Sequence, residues 1–322
     1  MNPAVSVVIK SYNHAPFVAQ TIQSVLDQSF QDFEIVVTDD GSTDATPDII
    51  RGFADPRIRF HRFENNRGIA IAMNTTVVRA RGDLIAILNS DDYALPGRLE
   101  LQVAFLREHP NVAALFGAAR QVGDDGEPVP GFETFRQPFA GFHPARAEWL
   151  RYFFFHGNCL CAPTAMIRRS AFLDIRLDDE RFANLGDFDR WIRLLERYEI
   201  HVMPQELTAF RVRANDANMS APRRDSMLRS AFEQSQILKR YRTFSRELLL
   251  EIFEPDLVAH TIDTTRPTDI WLVELALAAG TPWHRLFALD TMFDAARDER
   301  DLRRLRELTG NVNVFGFPDE RP

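Results

Sequence analysis

The sequence lacks the features that define disulfide-rich, zinc-binding and membrane-spanning proteins. Only two of its 322 residues are cysteines, Cys159 and Cys161, too few for a disulfide framework or a four-cysteine zinc site. The apolar window at 270–279 is short and contains Glu274, and no basic N-terminal region precedes an apolar stretch. We therefore expect a cytoplasmic protein without a signal peptide or a membrane span.

Glycine-rich phosphate loops and lysine are scarce as well. Neither G-x-G-x-x-G nor G-x-x-x-x-G-K-[ST] occurs, which disfavours a dinucleotide fold and a P-loop. Only Lys10 and Lys239 are lysines, and 46 acidic against 38 basic residues give a net charge of −8. Since nucleic-acid binding needs a clustered positive surface, we expect no nucleic-acid partner.

The first 120 residues alternate β-branched runs with helical patterns, which predicts an α/β fold with a mostly parallel sheet flanked by helices. The predicted strands are Val5–Ser11, Phe33–Asp39, Ile58–Phe63, Leu84–Asn89 and Val112–Phe116. Helical stripes are predicted around 18–26, 99–106 and 187–195, with Thr46 as the N-cap of another helix. After about residue 222 only helical patterns remain. Three apolar stripes carry them, Leu228/Ala231/Phe232, Leu248/Leu249/Ile252 and Leu286/Leu289/Phe293.

Polar residues follow three of the predicted strands, where ligands bind in open α/β sheets. They are Ser11–His14, Asp39–Asp44 and Asn89–Asp92. Carboxylates placed where a phosphate would sit need a cation, and Mg²⁺ or Mn²⁺ shared with substrate phosphates meets that need. Asp91 and Asp92 point to opposite sides in an extended segment, so one can face a sugar hydroxyl and the other a metal. The alternative is an Asx turn that closes the strand.

Asp187 has a position in the sequence that favours an ionised side chain. It follows Gly186 at the start of a predicted helix, where the helix dipole favours an ionised carboxylate. An ionised carboxylate can remove a proton from an attacking hydroxyl. The alternative is a plain helix N-cap, and one residue can serve both purposes.

Four segments together resemble the family 2 glycosyltransferases with the GT-A fold. They are VSVVIKSYNHAPFVAQTIQSVLDQSFQDFEIVVTDDGSTDAT, ENNRGIAIAMN, ARGDLIAILNSDD and LGDFDRWIRL, in matching order over residues 4–220. The resemblance implies a GT-A domain over 1–220, with a nucleotide-sugar-binding half at 1–120 and an acceptor-binding half at 121–220. Residues 221–322 remain as a C-terminal helical region.

The family resemblance implies inverting, metal-dependent transfer of a sugar, with a UDP-sugar the expected donor. Carried over by position, the nucleotide-sugar pocket comprises Ser11, Tyr12, Asn13, Asp40, Gly68, Asn74 and Asp91. Asp92 would hold the metal, Mn²⁺ or Mg²⁺, and Asp187 would be the base. Arg67 and Arg193 are candidate diphosphate contacts, or else ordinary surface arginines.

The chain departs from the family pattern at Asn89, Met73, Gly186 and Arg213. Arg213 stands where a histidine is frequent and can bind the diphosphate as a cation, while Asp216 can complete a metal shell. Asn89 and Arg213 motivate one alternative function, a catalytically silent nucleotide-sugar-binding or scaffold protein that uses the helical region. A sugar nucleotidyltransferase is another alternative, disfavoured because no glycine-rich phosphate loop is present.

The aromatic segment 132–155 has two interpretations. It forms either an apolar platform for a saccharide or lipid-linked saccharide acceptor at a membrane surface, or buried core beneath the acceptor-binding half. We favour core, because aromatic stripes are usually packing. The platform alternative would add peripheral contact with the inner face of the membrane, and the family implies surface polysaccharide or glycoconjugate assembly.

Overall fold

A computed structural model describes residues 2–129, 144–214, 218 and 223–295. The described residues form two compact units. The first contains those within 1–146 and 158–226, and the second those within 147–157 and 227–322. Residues 147–157, expected in the acceptor-binding half, therefore belong with the C-terminal helices.

One eight-stranded sheet organises the first unit. Its strands are β1 (Val5–Ser11), β2 (Phe33–Asp39), β3 (Ile58–Arg62), β4 (Leu84–Asn89), β5 (Tyr93–Ala94), β6 (Val112–Val122), β7 (Met166–Arg168) and β8 (Glu199–Arg211). The strand order is β3-β2-β1-β4-β7-β6-β8-β5. The first four strands are parallel, whereas β7 runs antiparallel to both β4 and β6. The α/β prediction is confirmed.

Helices join and flank these strands. In the first unit they are α1 (Val18–Leu26), α2 (Thr46–Arg51), α3 (Ile69–Arg79), α4 (Arg98–Glu108), α6 (Arg169–Asp174) and α7 (Gly186–Leu195). Thr46 is the first residue of α2 and not its N-cap. Its N–H donates to Asp44 Oδ1, and its own hydroxyl accepts from the N–H of His14.

The central strands β1, β2 and β4 are almost entirely buried. Val7, Ile35 and Ala86 are at most 1% exposed and belong to one apolar cluster that also contains side chains of α1 and α4. A polar side chain inside such strands needs a hydrogen-bond partner, as Ser6 on β1 and Glu34 on β2 provide for each other. Further polar residues of these strands lie at their carboxyl ends, where the functional site is expected.

The second unit is helical over its described residues. Its helices are α5 (Arg146–His156), α8 (Arg224–Leu238), α9 (Arg246–Ala259), α10 (Thr268–Ala279) and α11 (Pro282–Ala295). Phe154 of α5 is fully buried, with its ring against Tyr241, Phe253 and Phe287. The described part of the aromatic segment is thus core of the second unit, while 132–143 lie outside the described residues.

Two of the three apolar stripes predicted after residue 222 are exposed. Leu249 and Ile252 of α9 are buried, but Leu228 and Phe232 of α8 are 74% and 57% exposed. The stripe on α11 is exposed too, at Leu286, Leu289 and Phe293. The reason on α8 is that its C-terminal turns bury other positions, Ile237 and Leu238. No helix among the described residues is long and apolar enough to cross a membrane.

Candidate active site

A cavity of about 780 Å³ opens at the carboxyl ends of β1, β2 and β4. Its other wall comes from the segment before α7 and the first turns of that helix. Eight residues predicted from the sequence line it: Ser11, Tyr12, Asn13, Asp40, Gly68, Asp91, Asp187 and Arg213. Arg67, Asn74, Asp92 and Arg193 are not among the lining residues. The tertiary structure thus brings the strand ends and Asp187 to one cavity.

The end of β1 forms one corner of the cavity. Ser11 is 3% exposed, and its Oγ has no hydrogen-bond partner within the described part of the chain. Asn13 has a left-handed backbone at φ 52°, its N–H donates to Ser42 Oγ, and its Oδ1 accepts from the N–H of Thr43. The turn after β1 is therefore tied to the turn after β2, and the Ser11 hydroxyl is buried at this corner.

Asp40 holds the turn that precedes α3. Its two carboxylate oxygens accept from the N–H groups of Arg67 and Gly68 at 2.7 and 2.9 Å. Burial raises the pKa of Asp40, and these two hydrogen bonds oppose the rise. The guanidinium of Arg67 lies over the ring of Phe63. The backbone N–H of Arg67 thus positions Asp40, whereas its side chain lies outside the cavity lining.

Gly68 has a backbone that only glycine adopts without strain. Its φ of 97° and ψ of 153° lie in the region reserved for residues without a Cβ. An added Cβ would meet no atom within 4 Å, so the requirement is conformational and not steric crowding by neighbours. Gly68 therefore lets the chain turn into α3 with its N–H aimed at Asp40.

Asn74 acts at a distance from the cavity. Its side-chain amide donates to the carbonyl of Asp178 and accepts from the N–H of Asp178, at 2.9 and 2.8 Å. This two-bond contact joins α3 to the segment that leads into α7. Asn74, expected beside the nucleotide, instead anchors the wall that carries Asp187.

The adjacent carboxylates Asp91 and Asp92 have opposite environments. Asp91 lines the cavity, with its side chain 13% exposed. Asp92 is 1% exposed, and its carboxylate accepts from the backbone N–H of Arg211 and from the amide of Asn89. Burial and the neighbouring charge of Asp91 raise the pKa of Asp92 well above its ordinary value. The cavity-facing carboxylate is therefore Asp91, although the sequence pattern assigned the metal to Asp92.

Arg211, at the end of β8, holds the turn that contains both carboxylates. Besides the N–H contact with Asp92, its guanidinium donates to the carbonyls of Asp91, Gly123 and Asp124. The residue is 1% exposed. Sequence analysis missed Arg211, because its partners lie about ninety to 120 residues away in the chain.

Lys10 and His14 add two polar groups that sequence analysis did not select as site residues. Lys10 Nζ donates to Asn89 Oδ1 at 2.8 Å, and burial lowers the pKa of Lys10. His14 Nδ1 lies 2.7 Å from Ser90 Oγ, and its Nε2 lies 3.8 Å from Asp91 Oδ2. Burial lowers the pKa of His14, against the opposing effect of Asp91. Two features of the sequence could have identified them. Both residues flank Ser11–Asn13, and Lys10 is one of only two lysines in the chain.

Asp187 lies in the first turn of α7 and lines the opposite wall. Its Oδ1 accepts from the N–H of Phe188, and its Oδ2 lies 3.4 Å from the side-chain amide of Asn158. Burial raises the pKa of Asp187, with Arg190 opposing the rise. The helix start alone predicts a lowered pKa, whereas burial has the largest effect on Asp187 in the folded chain. A carboxylate with a raised pKa is a stronger proton acceptor once ionised.

Arg190 is the charged group one turn beyond Asp187 on the same helix face. The residue is 2% exposed, and its Nε and Nη2 donate to both oxygens of Asp178. Its Nη1 has no hydrogen-bond partner among the described residues. The i,i+3 spacing from Asp187 could have identified Arg190. Arg193, expected as a possible diphosphate contact, instead donates from its Nε to Asp189 at 2.8 Å and lies outside the cavity lining.

Arg213 follows β8 and lines the cavity, as Asp91 does. Its guanidinium lies over the ring of Phe17, 4.6 Å from the centroid, and its Nε is 3.8 Å from Asp124. The placement suits a cation that meets an anionic ligand. Asp216, considered as a further metal ligand, lies outside the described residues.

The side chains that line the cavity could bind a cation shared with a substrate, but they do not form a closed metal site. Across residues 2–129, 144–214, 218 and 223–295, no three His, Cys, Asp or Glu side chains gather to hold an ion. Mg²⁺ and Mn²⁺ often take one or two protein carboxylates and complete their shell with phosphate oxygens and water. Asp91 supplies such a carboxylate at the cavity wall.

The family model for glycosyl transferase family 2 matches residues 6–176. This match covers more than half of the chain and includes both the strand ends and Asp91. The chain belongs to glycosyltransferase family 2. The family resemblance is thereby confirmed. The matched range contains three of the four segments, apart from Val5, and ends before LGDFDRWIRL at 185–194.

Curated relatives agree with this assignment. An uncharacterized glycosyltransferase of Methanocaldococcus jannaschii is 28% identical over 223 residues, which cover 68% of this chain and 74% of the relative. The putative teichuronic acid biosynthesis glycosyltransferase TuaG of Bacillus subtilis is 39% identical over 132 residues. That match covers 40% of this chain and 52% of TuaG, so it spans about half of that relative.

Solved structures show the fold. TarS 1–349 of S. aureus in complex with UDP-GlcNAc has a TM-score of 0.59 at 18% identity, covering 99% of this chain and 93% of that one. The mannosyltransferase PcManGT of Pyrobaculum calidifontis, in complex with GDP-Man and Mn²⁺, has a TM-score of 0.55 at 19% identity, covering 100% and 89%. The glycosyltransferase fold, GT-A with C-terminal helices, is therefore the fold of this chain.

Proposed function

We propose that this glycosyltransferase moves a sugar, with inversion, from a nucleoside-diphosphate sugar to an acceptor hydroxyl. One observation supports the proposal above the others. A single cavity has the carboxylate Asp91 on one wall and the carboxylate Asp187 on the other. Two carboxylates in separate environments can serve separate functions, one at the leaving diphosphate and one at the attacking hydroxyl.

The strand ends form the donor side. Ser11, Tyr12 and Asn13 contact the nucleoside, and Asp40 with Gly68 closes the pocket around it. Arg213 meets the diphosphate as a cation. The complexes of TarS with UDP-GlcNAc and of PcManGT with GDP-Man support a nucleotide-sugar donor, and we expect UDP as its nucleotide.

Asp91, in place of Asp92, holds the divalent cation, Mn²⁺ or Mg²⁺. Such an ion neutralises the charge of the leaving diphosphate. Asp92 keeps the turn in place through Asn89 and Arg211. Asp91 is also close to the donor sugar or ribose in this arrangement, which agrees with its place in the nucleotide-sugar pocket that the family resemblance implies.

Asp187 removes the acceptor proton. The acceptor oxygen forms a bond to the anomeric carbon while the bond from that carbon to the diphosphate oxygen breaks. The proton passes to Asp187, the nucleoside diphosphate leaves, and attack from the opposite side inverts the anomeric configuration. Asn158, beside Asp187 Oδ2, orients the carboxylate.

The acceptor is a saccharide or a lipid-linked saccharide, and the pathway is the assembly of a surface polysaccharide or glycoconjugate. The teichuronic acid assignment of TuaG supports a polysaccharide pathway. A lipid-linked acceptor would bring the protein to the inner face of the membrane as a peripheral protein.

Donor hydrolysis tests the proposal without knowledge of the acceptor. Purified protein is incubated with UDP- and GDP-sugars and Mn²⁺, and the released nucleoside diphosphate and free sugar are quantified. We expect slow release from one donor class and none from Asp91→Asn. If a nucleotide sugar binds but neither its hydrolysis nor transfer to candidate saccharide acceptors is detected, a catalytically silent binding protein is favoured instead.

A further inference from the structure

His14 is held at two points on the cavity wall. Its backbone N–H donates to Thr46 Oγ1 at 2.9 Å, and its Nδ1 lies 2.7 Å from Ser90 Oγ. Its side chain is 22% exposed. The imidazole is therefore oriented by its surroundings before any ligand binds.

The second ring nitrogen faces a carboxylate that it does not contact. Nε2 of His14 lies 3.8 Å from Oδ2 of Asp91, which is longer than a hydrogen bond. Both residues line the cavity. Neighbouring ligands of an ion with bonds of about 2.1 Å lie roughly 3 Å apart. An ion between these atoms needs them to approach by less than about 1 Å, within the reach of side-chain rotation.

The groups around this gap are already engaged elsewhere. Lys10 Nζ donates to Asn89, and the guanidinium of Arg213 lies over Phe17. Arginine cannot bind a cation, so Arg213 supplies no ligand. Among the described residues, His14 is the only histidine that lines the cavity.

We propose that His14 Nε2 and Asp91 Oδ2 together bind the divalent cation, with the ion's remaining positions left for the nucleoside diphosphate and water. Ser90 Oγ is the outer partner that orients the ring, as is usual for histidines that bind metals. The inference rests on the proposed function, because it concerns the same donor site. It assigns His14, in the turn after β1, to the metal shell.

Pulsed electron paramagnetic resonance of bound Mn²⁺ tests this directly. Mn²⁺ is added with UDP, or with GDP if UDP does not bind, to protein with natural nitrogen and to protein labelled with ¹⁵N. We expect a hyperfine coupling between Mn²⁺ and a directly bound imidazole nitrogen. The coupling should be that of ¹⁴N in unlabelled protein and that of ¹⁵N in labelled protein. His14→Gln should lose the coupling and weaken Mn²⁺ binding by roughly 10- to 100-fold.

His61→Gln is the matched control, because His61 lies on β3 and does not line the cavity. It should keep both the coupling and the Mn²⁺ affinity. Ser90→Ala is a second variant, expected to keep the coupling with weaker Mn²⁺ binding, and it serves if His14→Gln fails to fold.

Bound Mn²⁺ without a protein-nitrogen coupling, or a coupling that persists in His14→Gln, would overturn the assignment. Nucleotide-sugar turnover with no effect of metal would also overturn it, together with the metal-binding role of Asp91, while leaving sugar transfer and the role of Asp187 standing. Absence of nucleotide binding and of sugar transfer, by contrast, would remove the proposed function itself.

Discussion

The two walls of the cavity are built in different ways. The wall at the strand ends consists of short turns in which polar side chains bind nearby backbone, as Asn13 binds Thr43 and Asp40 binds Arg67 and Gly68. The wall of Asp187 is organised by a buried ion pair between Arg190 and Asp178, and by the contact from Asn74.

This difference separates two kinds of requirement. The strand-end wall needs particular backbone shapes and acceptors, so that N–H groups and hydroxyls stay in place for a polar ligand. The Asp187 wall needs a balance of buried charge, since burial raises the pKa of Asp187 and Arg190 opposes it. Substitutions in the strand-end wall should therefore alter nucleotide binding, whereas substitutions in the Asp187 wall should alter the rate of transfer and its pH dependence.

Among substitutions in the Asp187 wall, Asp187→Asn should lower sugar transfer the most. Loss of the base is expected to lower sugar transfer by roughly 10²- to 10⁴-fold or more. Donor affinity should stay within a few-fold of the native value, because Asp187 lies across the cavity from the strand ends. Transfer rates and calorimetric titration with nucleotide sugar measure the two quantities. Asp174→Asn, at the exposed end of α6, is the control. Undiminished transfer by Asp187→Asn would refute its role as base.

Asp91→Asn and Asp92→Asn compare two neighbours within the strand-end wall. Asp91→Asn should abolish the enhancement of nucleotide binding by Mn²⁺, since the cavity-facing carboxylate is lost. Asp92→Asn should keep that enhancement and lower the free energy of unfolding, by about 1–3 kcal/mol, because a buried hydrogen-bonded group is altered. Titration with UDP in the presence and absence of Mn²⁺, together with urea unfolding, checks both. The reverse outcome would return the metal to Asp92.

The pH dependence of transfer tests the charge environment of Asp187. Asp187 must be ionised to accept a proton, so activity should rise with pH through its raised pKa. Removing the cation in Arg190→Gln raises that pKa further, and the acid limb of kcat/KM should move to higher pH. Arg190→Lys retains the charge and should shift it less.

Arg190→Gln also removes the guanidinium that hydrogen-bonds to Asp178 and leaves this buried carboxylate with Arg193, at 3.8 Å, as a charged neighbour. We expect the loss to cost about 3–5 kcal/mol of stability. The double variant Asp178→Asn/Arg190→Gln controls for this loss and is compared with Asp178→Asn alone, because the charge of Asp178 also raises the pKa of Asp187. The double variant should show its acid limb at the higher pH of the two. The same acid limb in both folded variants would mean that Arg190 acts on stability alone.

Gly68→Ala and Gly97→Ala form a matched pair with the smallest expected effects. Both glycines have positive φ and open space where a Cβ would stand, but only Gly68 lines the cavity. Each substitution should cost about 1–3 kcal/mol of stability. Only Gly68→Ala should also weaken nucleotide binding, by several-fold, because the turn that Asp40 holds would shift. Equal nucleotide affinity in the two variants would contradict this use of Gly68.

The sequence predicted the first wall better than the second. Strand ends are visible as polar residues after apolar runs, and parallel strands end at one edge of a sheet, so Ser11, Asp40 and Asp91 could be placed together. Asp187 was found through a family resemblance and a helix start. Arg190 and Arg211 were missed because their partners are distant in sequence or come from another element.

Local pattern also misplaced several elements for physical reasons. Thr46 lies inside the first turn of α2 because Asp44 binds its N–H. The aromatic residues of α5 belong to the second unit because their partners, such as Tyr241 and Phe253, follow residue 226. Short apolar stripes on α8 and α11 did not identify buried faces, since three positions do not decide which face of a helix is covered.

The sequence by itself determined the α/β class, the family and the strand ends that carry the polar residues, because all of these follow from local periodicity and motif order. The tertiary structure decided which of two adjacent aspartates faces the cavity. That choice depends on the N–H of Arg211, which lies 119 positions along the chain from Asp92. It also decided the charge environment of Asp187, because burial and ion pairs arise only when distant segments pack together.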